Sequence, residues 1–452
     1  MAFAQASVLR HVGDVCALVS RGRSSRAQRP AAPPRGRTTR SGRAHRRAAG
    51  ALAPSTGGGA GVPEVDFTEP APHLTDGAGR RLLKGLQREE LVRWCAQAGE
   101  ADPARRAAQL WRWMYADGRW ARSFEETAGK QDGFSAQFRE AVSSTATLDG
   151  GLQLLEAVRA SDGTTKLVFA IPDGPAAGGR VETVLIPVTR EAGKKRRVTL
   201  CVSSQIGCAM GCKFCYTGKM GLRGNLSAAQ IVEQVVAARR YLAEQPDGDP
   251  RSLTNVVFMG MGEPLHNLGS VMSSIEVMCD PSGLHISRGR VTVSTVGLIE
   301  GIRAFCQDAR GAQLAVSLHA TTDDGRSSIV PANNRHRLPD LIATLEELFP
   351  RGGRRFVLIE YTMLAGVNDD VAPGGDADRL AELLRRVECK VNLIVFNTHE
   401  GAEFAASPAD RVAEFRGQMI RAGYVCTVRD SRGEDGMSAC GQLGASLAQS
   451  PS

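Results

Sequence analysis

The sequence predicts an α/β protein, with six parallel strands in a TIM-like partial barrel or an open sheet and a small helical domain before them. From Val198 onward, strand-like and helix-like stretches alternate along the chain. The six strand candidates are VTLCVS, TNVVFMG, RVTVSTV, QLAVSLH, RRFVLIEYTML and KVNLIVFN. Strands joined by crossover helices pair in parallel, and ligands collect at the carboxyl ends of such strands. We therefore expect the functional residues at that edge of the sheet.

Helix signals flank and separate these strands. The clearest helix is SAAQIVEQVVAARRYLAEQ, where Ser227 and Gln230 have the spacing of a capping box. Residues 63–150 are predicted to form a helical accessory domain, because GLQREELVRWCAQAG and PARRAAQLWRWMYADG both place apolar residues at helical spacing. Its tryptophans are Trp94, Trp111, Trp113 and Trp120, and the interleaved arginines are Arg93, Arg105, Arg106, Arg112, Arg119 and Arg122. We interpret the tryptophans as the core of this domain, whereas the arginines could face an RNA partner.

Residues 151–197 are predicted to form a β-hairpin extension followed by a basic loop. The strands TKLVFAI and RVETVLIPV flank PDGPAAGG, which is a hairpin pattern with an enlarged loop. The basic loop contains Lys194, Lys195, Arg196 and Arg197. A solvated loop is its ordinary interpretation, and an RNA contact is the alternative, since the run precedes a cluster of cysteines.

The charge of the chain is concentrated at its start. The 452 residues carry a formal charge of +8, and residues 1–62 contain eleven arginines and a single acid, Asp14, for +10. The remainder therefore sums to 8 − 10 = −2. An Arg-, Ser- and Ala-rich start without an apolar h-region is typical of an organellar transit peptide, and we expect a disordered leader for a chloroplast rather than a mitochondrion. A disordered basic arm that touches RNA is the alternative.

Eleven cysteines in a chain of this length do not predict a disulfide framework. Their number is odd, and four of them lie between Cys201 and Cys215, so metal binding or redox work is the better interpretation. Other thiols, such as Cys95, Cys279, Cys306, Cys389 and Cys426, are predicted to be small buried apolar side chains. No apolar run approaches the roughly 18 to 20 residues that would cross a bilayer, so no membrane partner is expected.

The stretch GCAMGCKFCYTG follows the first barrel strand and holds Cys208, Cys212 and Cys215 in a C-x3-C-x2-C spacing. A short loop of this kind can place three thiolates on one face of a cubane iron–sulfur cluster, which leaves the fourth iron open. A small molecule with an amine and a carboxylate, such as S-adenosylmethionine, can chelate an open iron. A zinc site with a fourth ligand from elsewhere remains the alternative.

Ordered motifs beyond this loop carry a family resemblance. They are VETVLIP, CVSSQIGC, FCYTGKMG, VVFMGMGEPLHN, VTVSTVG, LAVSLHA, VNLIVFN and ACGQL, between residues 181 and 443. Together they resemble the RlmN/Cfr family of RNA adenine methyltransferases within the radical S-adenosylmethionine superfamily, over residues 80–445. The resemblance implies a partial (β/α)6 barrel at residues 198–445, with a [4Fe–4S] cluster on the three cysteines. The positions that match the family's S-adenosylmethionine contacts are Gly262, Glu263, Ser294, Ser317, Leu318, His319 and Asn397.

The resemblance also implies a mechanism. Cys440 matches a cysteine that is methylated by one S-adenosylmethionine, and a radical from a second one activates that methyl group for addition to an adenine ring. Cys201 matches the thiol that resolves the resulting crosslink by a transient disulfide, and Glu182 matches the proton acceptor. The implied target is carbon 2 of an adenine in 23S rRNA, with tRNA as a second substrate and a ferredoxin or flavodoxin as reductant. Methylation of carbon 8, or a non-catalytic iron–sulfur RNA-binding or redox protein, is the alternative.

Overall fold

The computed structural model describes residues 75–174, 176–188, 197–308, 311–429 and 431–448. All of these described residues fall within one compact unit. The predicted leader at residues 1–62 and Lys194, Lys195 and Arg196 of the basic loop lie outside the described residues. Within the described residues, no helix combines the length and the apolar composition needed to span a membrane.

The accessory region is helical, as predicted. Its elements are β1 (Arg81–Leu82), α1 (Arg88–Gln97), α2 (Pro103–Tyr115), α3 (Ala136–Ser143) and β2 (Ala146–Thr147). Asp102 caps α2 by accepting a hydrogen bond from the Arg105 N–H at 3.1 Å, and Pro103 occupies the first turn. All four tryptophans are buried, which confirms that they form the core of this region.

Several accessory arginines form ion pairs with nearby acids, mostly at the protein surface. The ion pairs join Arg105 to Asp102, Arg106 to Glu100, Arg112 and Arg119 to Asp132, and Arg122 to Glu126. Arg93 is exposed. Exposed pairs of this kind are weak, so they do not prevent an RNA contact, and the contact by this region stays a prediction.

A ten-stranded sheet forms the centre of the molecule. Its strands are β3 (Gln153–Arg159), β4 (Thr165–Ala170), β5 (Arg180–Val188), β6 (Arg197–Cys201), β9 (Leu253–Phe258), β10 (Val291–Thr295), β11 (Gln313–Ser317), β12 (Val357–Met363), β13 (Cys389–Val395) and β14 (Val425–Arg429). A separate hairpin pairs β7 (Gln205–Cys208) with β8 (Gly221–Asn225). The sheet order is β14-β13-β12-β11-β10-β9-β6-β5-β4-β3, in which β3 to β6 pair antiparallel and the strands from β6 to β14 pair parallel.

This topology modifies two expectations. The six predicted strands are present, but the described part of the sheet has a seventh parallel strand, β14, which the sequence prediction missed. Strand β14 is short, and its exposed and buried residues alternate at a sheet edge, so it lacks the long apolar run of the central strands. The hairpin extension β3–β5 is continuous with the sheet, through antiparallel pairing of β5 with β6.

Helices cover the parallel strands. They are α4 (Tyr216–Lys219), α5 (Ala228–Glu244), α6 (Leu268–Cys279), α7 (Ile299–Asp308), α8 (Asp323–Ile329), α9 (Leu338–Leu348), α10 (Asp376–Leu383), α11 (Ala409–Arg421) and α12 (Ala445–Ala448). The predicted capping box of α5 is confirmed, because Ser227 Oγ accepts from the Gln230 N–H while the Gln230 side chain accepts from the Ser227 N–H. The core lies between these helices and the sheet and includes Cys95, Cys389 and Cys426, whereas Cys279 and Cys306 are only half-buried, contrary to the prediction.

Candidate active site at the carboxyl ends of the strands

The three-cysteine loop begins on the small hairpin of β7 and β8. Cys208 ends β7, and Cys215 precedes α4, with its N–H donating to the Cys212 carbonyl at 3.1 Å. Gly207 has φ +68°, and a Cβ at this position would lie 1.8 Å from the Gly221 carbonyl oxygen, so the tight strand pairing requires glycine. The loop therefore turns within eight residues and brings all three thiols to one wall of a cleft.

Burial governs the electrostatics of these thiols. It raises the pKa of Cys212 to about 12, with Cys215 adding a smaller repulsion, and it also raises the pKa values of Cys208 and Cys215. Thiols of this kind are protonated at neutral pH until a metal displaces the proton. Three soft sulfur donors on one wall fit an iron–sulfur cluster. Among the described residues, no three metal-ligating side chains are close enough together to bind one metal ion. A cubane cluster does not require this, because each thiolate binds a different iron atom.

Glu263 follows β9 and lines the same cleft as the cysteines. Its carboxylate accepts hydrogen bonds from the N–H groups of Leu265, at 3.1 Å, and Val296, at 2.8 Å. Burial raises the pKa of Glu263 to about 7, although these hydrogen bonds oppose the shift. Gly262 has φ +101°, and a Cβ there would lie 2.6 Å from the Gln205 side chain, so the turn needs glycine. A buried carboxyl with few charged partners suits a ligand group that donates N–H hydrogen bonds, such as an amine.

The next strands contribute polar groups to the same cleft. Ser294 on β10 and Ser317 on β11 place their hydroxyl oxygens 3.4 Å apart. His319 has φ +61°, and its Nδ1 accepts from the Thr362 N–H at 3.0 Å. Burial, with a smaller contribution from Arg326, lowers the pKa of His319 to about 3, so its ring stays neutral. Because Nδ1 already accepts from the Thr362 N–H, the neutral ring carries its proton on Nε2, which can donate a hydrogen bond to a ligand but cannot supply charge.

Asn397 joins the cleft to the C-terminal cysteine. Its Nδ2 donates to the Cys440 carbonyl at 3.0 Å, and its Oδ1 accepts from the Ser431 hydroxyl. The Tyr216 N–H of the cysteine loop donates to the Gly441 carbonyl at 2.8 Å. The residues on either side of Cys440 are thus tied to both the three-cysteine loop and the end of β13, and the Cys440 side chain lines the same cleft as Cys208, Cys212 and Cys215.

A second chamber adjoins the cleft at Cys440. It is lined by Cys201 at the end of β6, Arg429 at the end of β14, and Cys440. Burial raises the pKa of Cys201 to about 12 and also raises that of Cys440, although Cys440 remains accessible from the cleft. The Arg429 guanidinium lowers the pKa values of both thiols. Burial opposes the charge of Arg429, but Glu360, Cys440 and Cys201 together raise its pKa. The Arg429 guanidinium therefore favours the thiolate form of both Cys201 and Cys440.

Sequence patterns gave no sign of Arg429 or Glu360. Glu360 lies on β12, is buried, and accepts from Asn392 Nδ2 at 2.9 Å through Oε1. Its Oε2 lies 4.0 Å from Arg429 Nη1 and has no hydrogen-bond partner among the described residues. Both side chains line the cleft. The only signal was their place at or near strand ends, and for Arg429 that signal was lost because β14 was not recognised.

Two predicted site residues lie away from the cleft. Leu318 is fully buried, and its backbone groups bond to the Glu360 carbonyl and the Arg326 side chain. Glu182 on β5 is also fully buried; its Oε2 accepts from the Gly444 N–H at 2.7 Å, and its Oε1 lies 3.3 Å from Lys166 Nζ. Glu182 thus contacts the backbone of the segment that carries Cys440 and does not line the cleft. The other predicted contacts, at positions 262, 263, 294, 317, 319 and 397, all line the cleft.

A three-cysteine loop after the first parallel strand, facing polar groups at the following strand ends, defines the class of radical S-adenosylmethionine proteins. A sequence profile of the Radical SAM superfamily matches residues 202–372. Membership of this superfamily gives the chain its cofactors, a [4Fe–4S] cluster and S-adenosylmethionine.

Curated relatives narrow the class to a family. The dual-specificity RNA methyltransferase RlmN of Phenylobacterium zucineum is 39% identical over 377 residues, which cover 82% of this chain and 93% of that protein. The protein of the same name from Geotalea uraniireducens is 40% identical over 365 residues, covering 80% and 96%. The crystal structure of a radical SAM methyltransferase from Sphaerobacter thermophilus matches with a TM-score of 0.71 and 38% identity, covering 80% of this chain and 99% of that one. The chain belongs to the RlmN family.

Proposed function

We propose that this protein is a radical S-adenosylmethionine RNA methyltransferase that methylates carbon 2 of an adenine. The observation that carries the proposal is the convergence of Cys208, Cys212, Cys215 and Cys440 on one cleft, with Cys201 in the adjoining chamber. A binding protein that only held a cluster would have no use for Cys440 and Cys201. The relatives' shared name, dual-specificity RNA methyltransferase, supports RNA as the substrate.

The proposed cofactor roles follow the cleft. Cys208, Cys212 and Cys215 would hold the cluster, and Glu263 would face the amino group of S-adenosylmethionine. Gly262, Ser294, Ser317, His319 and Asn397 would contact the rest of that molecule, all from the cleft wall. Leu318 would contribute only its backbone, since its side chain faces the core.

Carbon 2 of adenine is electron-poor and does not attack a sulfonium, so polar methyl transfer fails there. When bound, the cluster and S-adenosylmethionine supply a methyl group and a 5′-deoxyadenosyl radical. Cys440 would take the methyl group on sulfur and present its carbon to the base. A Cys201 thiolate would then attack the Cys440 sulfur to form a disulfide. The bond between that sulfur and the transferred carbon would break, and the electron pair would leave with the carbon, which takes up a proton and stays on the RNA. Both thiols lie in one chamber with Arg429 available to stabilise a thiolate.

Glu182 is the proposed proton acceptor. Its carboxylate is engaged by the Gly444 N–H and by Lys166, so access to a substrate proton requires movement of the segment around Cys440. An adenine must also be unpaired before it can enter the cleft. Exposed cationic side chains flank the cysteine loop, at Lys213, Lys219 and Arg223, and these are better placed to meet a phosphate backbone than the accessory arginines.

The finer assignments are part of the proposal. We propose 23S rRNA as the main substrate and tRNA as the second, with electrons from a ferredoxin or flavodoxin. The composition of residues 1–62 supports an organelle, with the chloroplast preferred to the mitochondrion.

Nucleoside mass spectrometry tests the proposal. Protein lacking residues 1–62 is reconstituted anaerobically, reduced, and given methyl-labelled S-adenosylmethionine with separately transcribed 23S rRNA fragments and tRNA. The expected product is labelled 2-methyladenosine in the rRNA. Label in 8-methyladenosine would contradict the proposed reaction. So would cleavage of S-adenosylmethionine with no label in either RNA.

A further inference from the structure

The segment that carries Cys440, residues 431–444, is anchored on the hairpin extension β3–β5. The turn between β3 and β4 makes two reciprocal contacts with it. Asp162 Oδ2 accepts a hydrogen bond from the Gly433 N–H at 3.1 Å, and Asp435 Oδ2 accepts one from the Ser161 N–H at 3.0 Å. These partners are more than 270 residues apart in the chain. The hairpin extension is therefore the platform on which this cysteine segment rests.

A buried ion pair on the same platform contacts the segment on both sides of Cys440. Lys166 Nζ donates to the Met437 carbonyl at 3.2 Å, three residues before Cys440. Glu182 Oε2 accepts from the Gly444 N–H at 2.7 Å, four residues after it. Lys166 and Glu182 lie 3.3 Å apart, and both side chains are at least 98% buried. The two charges thus act as one bracket around the cysteine.

Strand register aligns this bracket with the resolving thiol. Lys166 on β4 is opposite Val184 on β5, and Val184 is opposite Cys201 on β6. Residues directly opposite one another in antiparallel pairs point to the same face, and so do residues two apart on one strand. Lys166, Glu182 and Cys201 therefore point to the face that the Cys440 segment covers.

The segment adopts a backbone that it would not hold alone. Met437, a non-glycine residue, has φ +48°, and Gly433 has φ +71°, where a Cβ would lie 2.7 Å from the Thr164 side chain. Positive φ at a side-chain-bearing residue is sparsely populated unless surrounding contacts hold it. The Lys166 contact to the Met437 carbonyl is such a contact, placed at the strained residue itself.

We propose that Lys166 is a positioning residue that, with Glu182, fixes the place of Cys440 relative to Cys201 and to the three-cysteine wall. This role deepens the proposed function, on which it rests for its chemistry. Cys440 must meet a methyl donor, a base and Cys201 in turn, and encounters between groups on one protein depend steeply on how they are held. Lys166 acts through the backbone of the cysteine segment and touches no reacting atom.

Disulfide formation between Cys201 and Cys440 measures this placement without RNA or turnover. The cluster-loaded protein is exposed to oxidised glutathione, which takes up the two electrons and two protons that leave the thiols. The Cys201–Cys440 link is then followed by peptide mass spectrometry. We expect Lys166→Met to slow the link at least tenfold and to increase amide hydrogen exchange in residues 433–444. Lys130→Met, at an exposed lysine of the accessory region, is the matched control and leaves both unchanged.

Three further variants separate positioning from general stability. Lys166→Arg restores a cation that can reach the Met437 carbonyl and is expected to recover part of the rate. A double variant, Lys166→Met with Glu182→Met, replaces the buried pair by apolar side chains, which proteins often accept without loss of stability. It should melt near the wild-type temperature yet form the disulfide slowly. Glu182→Gln keeps a side-chain acceptor for Gly444 and should fall between these limits.

A wild-type disulfide rate in the double variant, or in a folded Lys166→Met protein, would overturn the proposal. A slower rate that tracks the melting temperature across all variants would overturn it too, because the role would then be structural only. These readouts are independent of the proposed function. If the wild-type protein methylates no RNA but the bracket variants still slow the disulfide, the methylation proposal fails and the positioning proposal stands.

Discussion

Glu263 shows how burial sets the chemistry of a single group in this site. Its carboxyl has a pKa of about 7 because burial outweighs the hydrogen bonds from Leu265 and Val296. In the folded protein the neutral form is favoured relative to an ordinary glutamate. The group therefore lowers stability progressively as the pH rises from its unfolded value through about 7, and it becomes a strong partner for a cation only when ionised.

Binding of S-adenosylmethionine should therefore weaken in acid. If Glu263 receives the amino group, the dissociation constant should rise roughly eightfold between pH 7.5 and pH 6.0, as the ionised fraction of a group with this pKa falls. Isothermal titration calorimetry on the reconstituted protein measures the dissociation constant of S-adenosylmethionine at each pH. Glu263→Gln should bind more weakly and lose the pH dependence. An unchanged dissociation constant across this range in the wild type would show that Glu263 does not face the amino group.

Arg429 should control the reactivity of Cys440. Removing the cation with Arg429→Met raises the thiol pKa further, so alkylation by iodoacetamide at pH 8 should slow about three- to tenfold. Peptide mass spectrometry gives the rate for each cysteine. Cys279 is an internal control, since its pKa is also raised, to about 11, and Arg288 rather than Arg429 is the cation beside it. Equal slowing at both cysteines would point to a general change of structure.

For single site residues, prediction from the sequence succeeded where the residues lie close together along the chain. Cys208, Cys212 and Cys215 are neighbours along the chain, and the structure brings all three to one wall. Lys166 was missed because it contacts Met437, 271 residues further along the chain. Arg429 was missed because β14, the strand that places it beside Cys201 and Cys440, was not recognised. The role of Glu182 stays a prediction; its burial behind Gly444 could not be foreseen from an alternating strand pattern.

Among the elements, α8 supplies a side chain that organises the strand ends. Arg326 is fully buried and donates to the carbonyls of Leu318 at 3.0 Å and Ser317 at 3.2 Å, and also to that of Val296. It therefore ties the ends of β10 and β11 together, next to Ser317. Burial lowers the pKa of Arg326 to about 10, which leaves it charged at neutral pH.

Removal of this guanidinium should destabilise the protein. Arg326→Met strands several buried carbonyl groups and should cost about 3 kcal/mol of unfolding free energy, measured by urea denaturation. Arg303→Met is the matched control, since Arg303 pairs with Glu347 and donates to the Thr344 hydroxyl at the surface, and it should change stability little. If the two variants were equally stable, Arg326 would not hold the strand ends together.

Elements with long periodic patterns were predicted well. The six central strands and α5 with its capping box were all found, because their apolar periodicity is continuous and matches the burial. Strand β14 was missed because its side chains are only partly buried at the sheet edge; its five residues are no fewer than those of β10 and β11, which were predicted. The neighbouring strand β13 is more buried and has the apolar run that made it recognisable in the sequence.

The whole molecule is held together by contacts that sequence patterns do not reveal. The accessory region docks on α5 through Lys84, which is fully buried and 2.5 Å from Glu233, while Arg240 pairs with the same carboxylate. The hairpin extension continues the barrel sheet and also supports the C-terminal cysteine segment. Chain topology was predictable from the order of the elements, whereas the long-range pairing of charges was not.

The central claim is that Cys440 carries the carbon that reaches the RNA and that Cys201 releases it. Denaturing electrophoresis with peptide–nucleotide mass spectrometry tests both roles after one incubation with substrate RNA, reductant and S-adenosylmethionine. We predict that Cys201→Ala accumulates a covalent RNA adduct on Cys440. Cys440→Ala, and the variant that combines Cys201→Ala with Cys440→Ala, should form none. Methylation by Cys440→Ala, or adduct-free turnover by Cys201→Ala at the wild-type rate, would contradict the account.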